Sequence, residues 1–244
     1  MIKLGLDLVE KKVAIIQSNY IPWKGYFDAV NMVDEFILYD DVQFTKRDWR
    51  NRNIIKTVNG LQWLTIPVET KDKYFQEISE TIISDIEWSK KHWKTIVCNY
   101  SRAKYFYDFK DVFEQTYFFA SKEKYLSKIN FLFIEQICKI LGISTRITWS
   151  MDYNVNAIEK NKRLIALCKA ANATHYYSGP AAKCYLNDSL FNSEGIKISY
   201  FNYDEYPKYP QLYGEFKHGV TILDLIFNEG SSAVNYLKSF KNKE

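Results

Sequence analysis

The run Val13-Ala14-Ile15-Ile16 constrains this chain most. It is uninterrupted, apolar and rich in β-branched side chains, and it breaks at once into polar Gln17-Ser18-Asn19, the pattern of a buried strand ending in a loop. Pro22 suits the first turn of a helix, and Phe27, Val30 and Asn31 close a short segment before a second apolar run, Phe36-Ile37-Leu38-Tyr39. Strand, loop, helix and strand inside about thirty residues open a parallel α/β sheet, whose ligand crevice lies at the carboxyl ends of its strands. The expected fold class is therefore α/β, with a parallel Rossmann-like sheet.

After Asp40-Asp41 comes a polar and aromatic tract, Gln43 to Asn53, and then Leu61-Gln62-Trp63-Leu64-Thr65-Ile66-Pro67-Val68, strand-like and stopped by Pro67. The spacing of Trp93, Ile96, Val97 and Tyr100 predicts helix from about Trp88 to Phe119, and Tyr125 to Leu141 is the clearest helix, with Gly142 at its stop. Arg146 to Trp149 reads as strand, Asn161 to Ala171 as helix and His175 to Tyr177 as strand. Beyond Ser178-Gly179-Pro180 come a short helix, a strand from Ile196 to Phe201, a Tyr- and Pro-rich loop from Tyr203 to Tyr213, and a helical region after Thr221. With no low-complexity linker and no internal repeat, the tract over about 85–142 reads as a helical insertion in a single α/β domain.

Size and charge narrow the function classes. At 244 residues and 47% hydrophobic side chains, the chain can bury a core of its own. Its net charge of +4 falls short of a dedicated nucleic-acid binder and leaves an anionic small ligand open. Cys98, Cys138, Cys168 and Cys184 lack metal-ligand spacing, so reduced, metal-free thiols are expected. The N-terminus carries Lys3, Asp7 and Glu10 where a signal peptide needs unbroken apolar residues, and no later segment has the apolar length of a membrane span. The expected compartment is the cytoplasm.

Three constellations carry possible chemistry. Gln17, Asn19, Tyr20, Trp23, Lys24 and Tyr26 sit where the first strand hands over to its helix, a place where free amides and the helix dipole attract phosphate. The layout resembles the HIGH-motif nucleotidyltransferases, with Gly25-Tyr26 standing where that motif has Gly-His. A polar loop with packing aromatics is the competing reading. Ser178-Gly179-Pro180 with Lys183 makes a second strand-to-helix turn of the same kind, and a plain turn is the alternative. The two turns are expected to meet in one crevice.

The third is Lys46-Arg47-Asp48-Trp49-Arg50-Asn51-Arg52, whose cations and aromatic ring suit a stacked base and a diphosphate gripped by arginine forks. Single-stranded nucleic acid or simple solvation of a basic loop would use the same residues. Asp40 and Asp41, being adjacent on a strand, point apart. One is expected to face the cleft near Gln43 and the other to orient Arg47 or Arg50, without a metal. His92 stands one helical turn from Trp88, where imidazole could take a proton from an amine or hydroxyl. Hydrogen bonding to a neighbouring loop is the commoner use of such a histidine.

The residues Ala14 to Asp28 and Tyr39 to Arg52 resemble the signature of the WbqC-like family. Trp88 with Lys91-His92-Trp93, Arg163-Leu164-Ile165, Ser178-Gly179-Pro180, Tyr209-Pro210-Gln211 and Asp224 to Asn228 follow in family order. On this resemblance residues 13–230 form the family domain, 1–12 an N-terminal extension and 231–244 a tail. The resemblance implies a place beside O-antigen and capsule enzymes, whose substrates are nucleotide-linked sugars, often amino sugars. It identifies no cofactor.

Together these features suggest acyl or aminoacyl transfer to a nucleotide-linked amino sugar. Arg47, Arg50 and Arg52 would bind diphosphate, Trp49 would stack, Gln17 and Asn19 would orient the reacting group, and His92 or Asp40 would deprotonate the amine. Glycosyl or nucleotidyl transfer, with a divalent ion at Asp40, is the second reading, and a non-enzymatic nucleic-acid or assembly role the third.

Overall fold

The computed structural model describes residues 10–241. Its elements run β1 (Lys12–Ile16), α1 (Lys24–Asn31), β2 (Glu35–Leu38), β3 (Arg52–Thr57), β4 (Gly60–Thr65), α2 (Trp88–Tyr100), α3 (Phe106–Ala120), α4 (Leu126–Leu141), β5 (Arg146–Trp149), α5 (Lys160–Ala170), β6 (His175–Ser178), α6 (Asp188–Ser193), β7 (Lys197–Tyr200) and α7 (Ile222–Glu229). The expected N-terminal extension lies, for residues 1–9, outside the described residues, as do the last three residues of the expected tail.

The chain forms two compact units. The first takes residues up to Ile16, Met32–Leu38 and Thr145–Asn202. Its five strands are all parallel, in the order β5-β2-β1-β6-β7. The architecture is α/β with a parallel Rossmann-like sheet. Val13, Ala14, Phe36, Ile37 and Leu38 are fully hidden, as central strands covered on both faces require. The chain steps outward from β1 to β2 and β5, then returns to β6 on the other side of β1, so the order reverses beside β1. Parallel strands share one carboxyl edge, and Ile16, Leu38 and Ser178 all end on it. Buried Glu35 ties the sheet edge together, accepting from Lys11 Nζ at 2.7 Å, Thr148 Oγ1 at 3.0 Å and the Tyr153 hydroxyl. These donors hold its carboxyl below the usual range against the opposing cost of burial.

The second unit takes Gln17–Asn31, Tyr39–Ser144 and residues from Tyr203 onward. It holds α1, the antiparallel hairpin of β3 and β4, the three helices of the 85–142 tract, and α7. Its core is aromatic. Phe227 on α7 meets the rings of Tyr100, Phe106 and Phe113 at 5.5, 5.1 and 5.4 Å, all four being fully buried, and each such side chain contributes about 2–3 kcal/mol of transfer free energy.

Two elements depart from the spacing in the sequence. The helix expected over Trp88 to Phe119 is two helices, broken over 101–105. There Tyr105 N–H donates to Phe227 O at 2.9 Å and the Tyr105 ring lies so close to Gly230 that a Cβ would meet it at 2.7 Å, so a contact with α7 pulls the chain out of helical register. Strand β3 occupies the end of the tract that reads as polar loop. Asn53 is nevertheless buried, donating to Tyr20 O at 3.0 Å and Ile21 O at 2.7 Å, and buried Lys56 donates to Gln211 Oε1 at 3.1 Å.

All four cysteines are unpaired, Cys138 and Cys168 buried and Cys98 and Cys184 exposed. No helix among the described residues is long and apolar enough to cross a membrane.

Candidate functional site

Gln17-Ser18-Asn19 leaves β1 with backbone groups that no sheet ladder satisfies, and buried side chains of the second unit supply the partners. Arg50, hidden at 9% exposure, donates from Nη1 to Ser18 O at 3.4 Å and to Asn19 Oδ1, with its Nη2 at 3.5 Å from Asp48. Asp40, fully buried, accepts from Ser18 N–H at 2.8 Å and from the Ser127 hydroxyl. Asn130 joins them, donating to Ser18 Oγ at 3.0 Å and Arg50 O at 2.9 Å. Burial raises the Asp40 carboxyl and lowers the Arg50 guanidinium, and the attraction between their charges offsets part of both shifts. Each group thus gives one of its polar ends to the loop, Asp40 through Oδ1 and Arg50 through Nη1. The net effect is to orient Asn19: with Oδ1 held by Arg50, its Nδ2 amide is the end left to donate.

Asn19 lines a cleft of about 410 Å3 walled by Trp23, Trp49, Tyr203 and Tyr206 and completed by Pro22, Asn53, Glu205, His218 and Gly219. Trp23 meets Tyr203 and Tyr206 edge-on at 5.4 and 5.5 Å. Gly25 is required by this packing, since a Cβ there would fall 2.3 Å from the Trp23 ring. The far wall is irregular chain, and α1 and α7 pin it. The Tyr206 hydroxyl donates to Asp28 Oδ2 at 2.6 Å and the Tyr209 hydroxyl to Asp224 Oδ1 at 2.8 Å.

Lys24, at 2% exposure, donates to Pro207 O at 2.8 Å and lies 5.2, 5.2 and 5.6 Å from the ring centres of Tyr206, Tyr209 and Phe216. Burial brings its amine down to about 8, with Asp28 and Asp224 opposing the shift. The ring faces hold the ammonium in place of a paired carboxylate. His218 is exposed, packed edge-on against Phe216 at 4.5 Å, and held below its ordinary value by partial burial and by the charges of Lys24 and Lys208.

Beside the cleft lies a hollow of about 220 Å3 lined by Phe44, Lys46, Arg47, Asn51, Arg52 and residues 65–68 and 70. Lys46, Arg47 and Arg52 make no ion pair among the described residues, and Arg52 Nε is buried without a hydrogen-bond partner. Arg47 is held in the left-handed region at φ 61° by the contact of its carbonyl with Arg52, a strain of about 1–2 kcal/mol. The Arg52 guanidinium stacks on Trp63 at 4.1 Å, and Trp63 faces Trp49 at 5.4 Å. Cleft and hollow are therefore joined through Trp49, Trp63 and Arg52.

The remaining expected site residues are not among those that line the cleft or the hollow. His92 is buried, its Nε2 3.2 Å from Thr65 O and its Nδ1 2.9 Å from the Tyr20 hydroxyl, which also meets Tyr117 Oη at 2.7 Å. A carbonyl only accepts, so Nε2 carries the proton and Nδ1 accepts from Tyr20. Burial pushes the imidazole down to about 4. Tyr26 Oη donates to Gln17 O at 3.2 Å, Gln43 Nε2 to Tyr74 O at 2.8 Å, and Asp41 is half-buried. Ser178, Gly179 and Lys183 belong to the first unit, where Gly179 opens onto a short 3-10 turn, Pro180–Cys184, and Lys183 Nζ lies 5.1 Å from the Tyr200 ring. No three His, Cys, Asp or Glu side chains among the described residues converge as a metal-binding group. Sequence reasoning missed Asn53, Tyr203, Glu205, Tyr206 and His218. The aromatic density of 203–213 was the one visible signal for Tyr203, Glu205 and Tyr206, and Asn53 and His218 had none.

The model of the WbqC-like protein family matches residues 17–236. This chain belongs to the WbqC-like family. The matched stretch contains both the aromatic cleft and the basic hollow of this WbqC-like protein. It is 49% identical over 228 residues to the uncharacterized protein Rv1507c of Mycobacterium tuberculosis, covering 93% of this chain and 98% of that one. No solved structure matches it.

Proposed function

We propose that this WbqC-like protein binds a nucleotide-linked sugar in the second unit and acts in surface-polysaccharide assembly as a transferase, passing an acyl or aminoacyl group to a sugar amine. The observation that carries the reading is the continuity of an aromatic cleft with a hollow of unpaired cations through Trp49, Trp63 and Arg52. Sugar and base faces stack on indole rings, and a diphosphate takes charge-assisted hydrogen bonds from arginine.

In this scheme Lys46, Arg47 and Arg52 hold the diphosphate, and Trp49 and Trp23 pack against the apolar faces of the ligand. Asn19 Nδ2 donates to the carbonyl oxygen as the amine attacks, while Arg50 and Asp40 position Asn19 and its loop. His218 is the base. It stands on the cleft wall, and partial burial together with the charges of Lys24 and Lys208 holds its imidazole below the ordinary value, which favours the neutral, proton-accepting form. The amine gives its proton to His218, the new C–N bond forms, and the donor's leaving group departs. His92, whose two nitrogens are engaged, supports Tyr20 beneath this loop.

Incubation of nucleotide-sugar pools with the protein, followed by mass spectrometry, tests the reaction class. An added acyl or aminoacyl mass, lost with His218→Ala, is expected. Release of free nucleotide or pyrophosphate instead would select glycosyl or nucleotidyl transfer.

A further inference from the structure

We propose that the turn joining α3 to α4 docks this protein on an anionic lipid surface. Phe118 and Phe119 end α3 side by side, each 56% exposed. Lys122 Nζ lies 4.0 and 5.9 Å from their ring centres, and Lys124 and Lys128 each lie 5.5 Å from the Tyr125 ring. None of these three exposed lysines makes an ion pair among the described residues. Of the nearest acids, Glu123 Oε1 is occupied by the backbone N–H groups of Lys124 and Tyr125 at 2.6 and 3.0 Å, and Glu69 is paired with Lys73. Glu123 keeps its charge, so three lysines against one carboxylate leave residues 118–128 with an excess of positive charge beside the exposed rings.

That pairing decides the occupant. Tyr74 and Phe75 are more exposed, at 73% and 83%, yet they share a surface hollow with the acids Asp72 and Glu80, and its Lys73 is paired with Glu69, so they suit an anionic partner less well. Around 118–128, rings suited to the headgroup level of a bilayer stand beside lysines that meet lipid phosphates. The turn is also stiff. Ile83 N–H donates to Lys124 O at 3.0 Å, Leu126 N–H donates to Thr81 O at 2.9 Å, and Leu126, Ser127 and Ile129 are buried. A rigid patch loses little freedom on binding.

The test is co-sedimentation of the full chain with vesicles of phosphatidylcholine alone or with about one-third phosphatidylglycerol. The wild type should pellet with the anionic vesicles, stay in solution with the neutral ones, and be released by added salt. Two variants, Lys122→Gln/Lys124→Gln/Lys128→Gln and Phe118→Ser/Phe119→Ser, should each lower the bound fraction at least about fivefold without moving Tm, because all five side chains are exposed. Equal recovery with both vesicle types, or no response to either variant, would overturn the proposal. So would a concentration-dependent dimer in sedimentation equilibrium that Phe118→Ser abolishes, which would assign the patch to a second copy of the chain.

Discussion

Arg50 and Arg52 stand two residues apart and do different work. Arg50 is turned inward, its guanidinium tied to Ser18, Asn19 and Asp48, whereas Arg52 stacks on Trp63 at the hollow. Arg52→Ala should weaken calorimetric binding of a nucleotide diphosphate sugar by about 1.5–3 kcal/mol and leave the urea midpoint unchanged. Arg50→Ala should instead lower stability by about 3–5 kcal/mol, because it strips a buried network of its one cation. His92 makes a second residue-scale prediction. Its folded value near 4 lies below the unfolded 6.5, so the unfolded chain takes up the proton first. The stabilisation is complete above 6.5 and disappears as pH falls from there through 4, about 3 kcal/mol in full. Asp40 and Asp224 act with opposite sign, their carboxyls being raised by burial, so the His92 contribution is read as a difference. Between pH 7 and 4.5 the wild type should lose more urea resistance than His92→Gln. Residue types at this scale were legible, while their directions were not. Sequence marks Arg50 and Arg52 alike, and only the partners around each separate the positioning side chain from the one facing the hollow.

Elements with strong spacing behave as the pattern predicts. Helix α4 covers the expected apolar stripe and stops at Gly142, whose φ of 69° is the left-handed conformation a C-terminal glycine supplies. Elements without a repeating pattern needed the tertiary partners. Strand β3 carries Asn53 and Lys56, polar residues whose burial depends on acceptors far along the chain, and the 203–219 segment has no regular structure yet supplies four of the cleft's lining residues besides Gly219. Its position rests on tyrosines donating to buried acids. Tyr206→Phe removes the shortest of these bonds and leaves Asp28 Oδ2 with only the Lys238 amide at 3.1 Å. That change should cost about 1–3 kcal/mol and raise amide exchange over 203–218, with exchange in α4 unchanged. Unaltered protection of the segment would mean that Lys24 and Tyr209 hold it without help.

At the scale of the molecule, neither unit is a continuous stretch of chain. The second unit begins at Gln17 and is completed only by residues from Tyr203 onward, which bring Phe227 against Tyr100, Phe106 and Phe113 and place Asp224 at the Tyr100 hydroxyl, 2.9 Å away. A chain cut after Asn202 should therefore lose the cooperative thermal transition of the full protein, since it strips the Phe227 ring from three large buried rings and the Asp224 acceptor from the Tyr100 hydroxyl. Circular dichroism melting of the two chains decides this. The sequence by itself determined the parallel sheet and the long helices, because burial on both faces of a strand, or along one stripe of a helix, imposes a local periodicity that survives in the order of residues. It also exposed the family resemblance, which rests on short runs of chain. The tertiary structure alone decided which polar side chains are spent inside and which face the cleft. That choice depends on partners such as Arg50 with Asn19, Lys24 with Pro207, and Tyr206 with Asp28, separated by tens to nearly two hundred residues, over which no local period carries information.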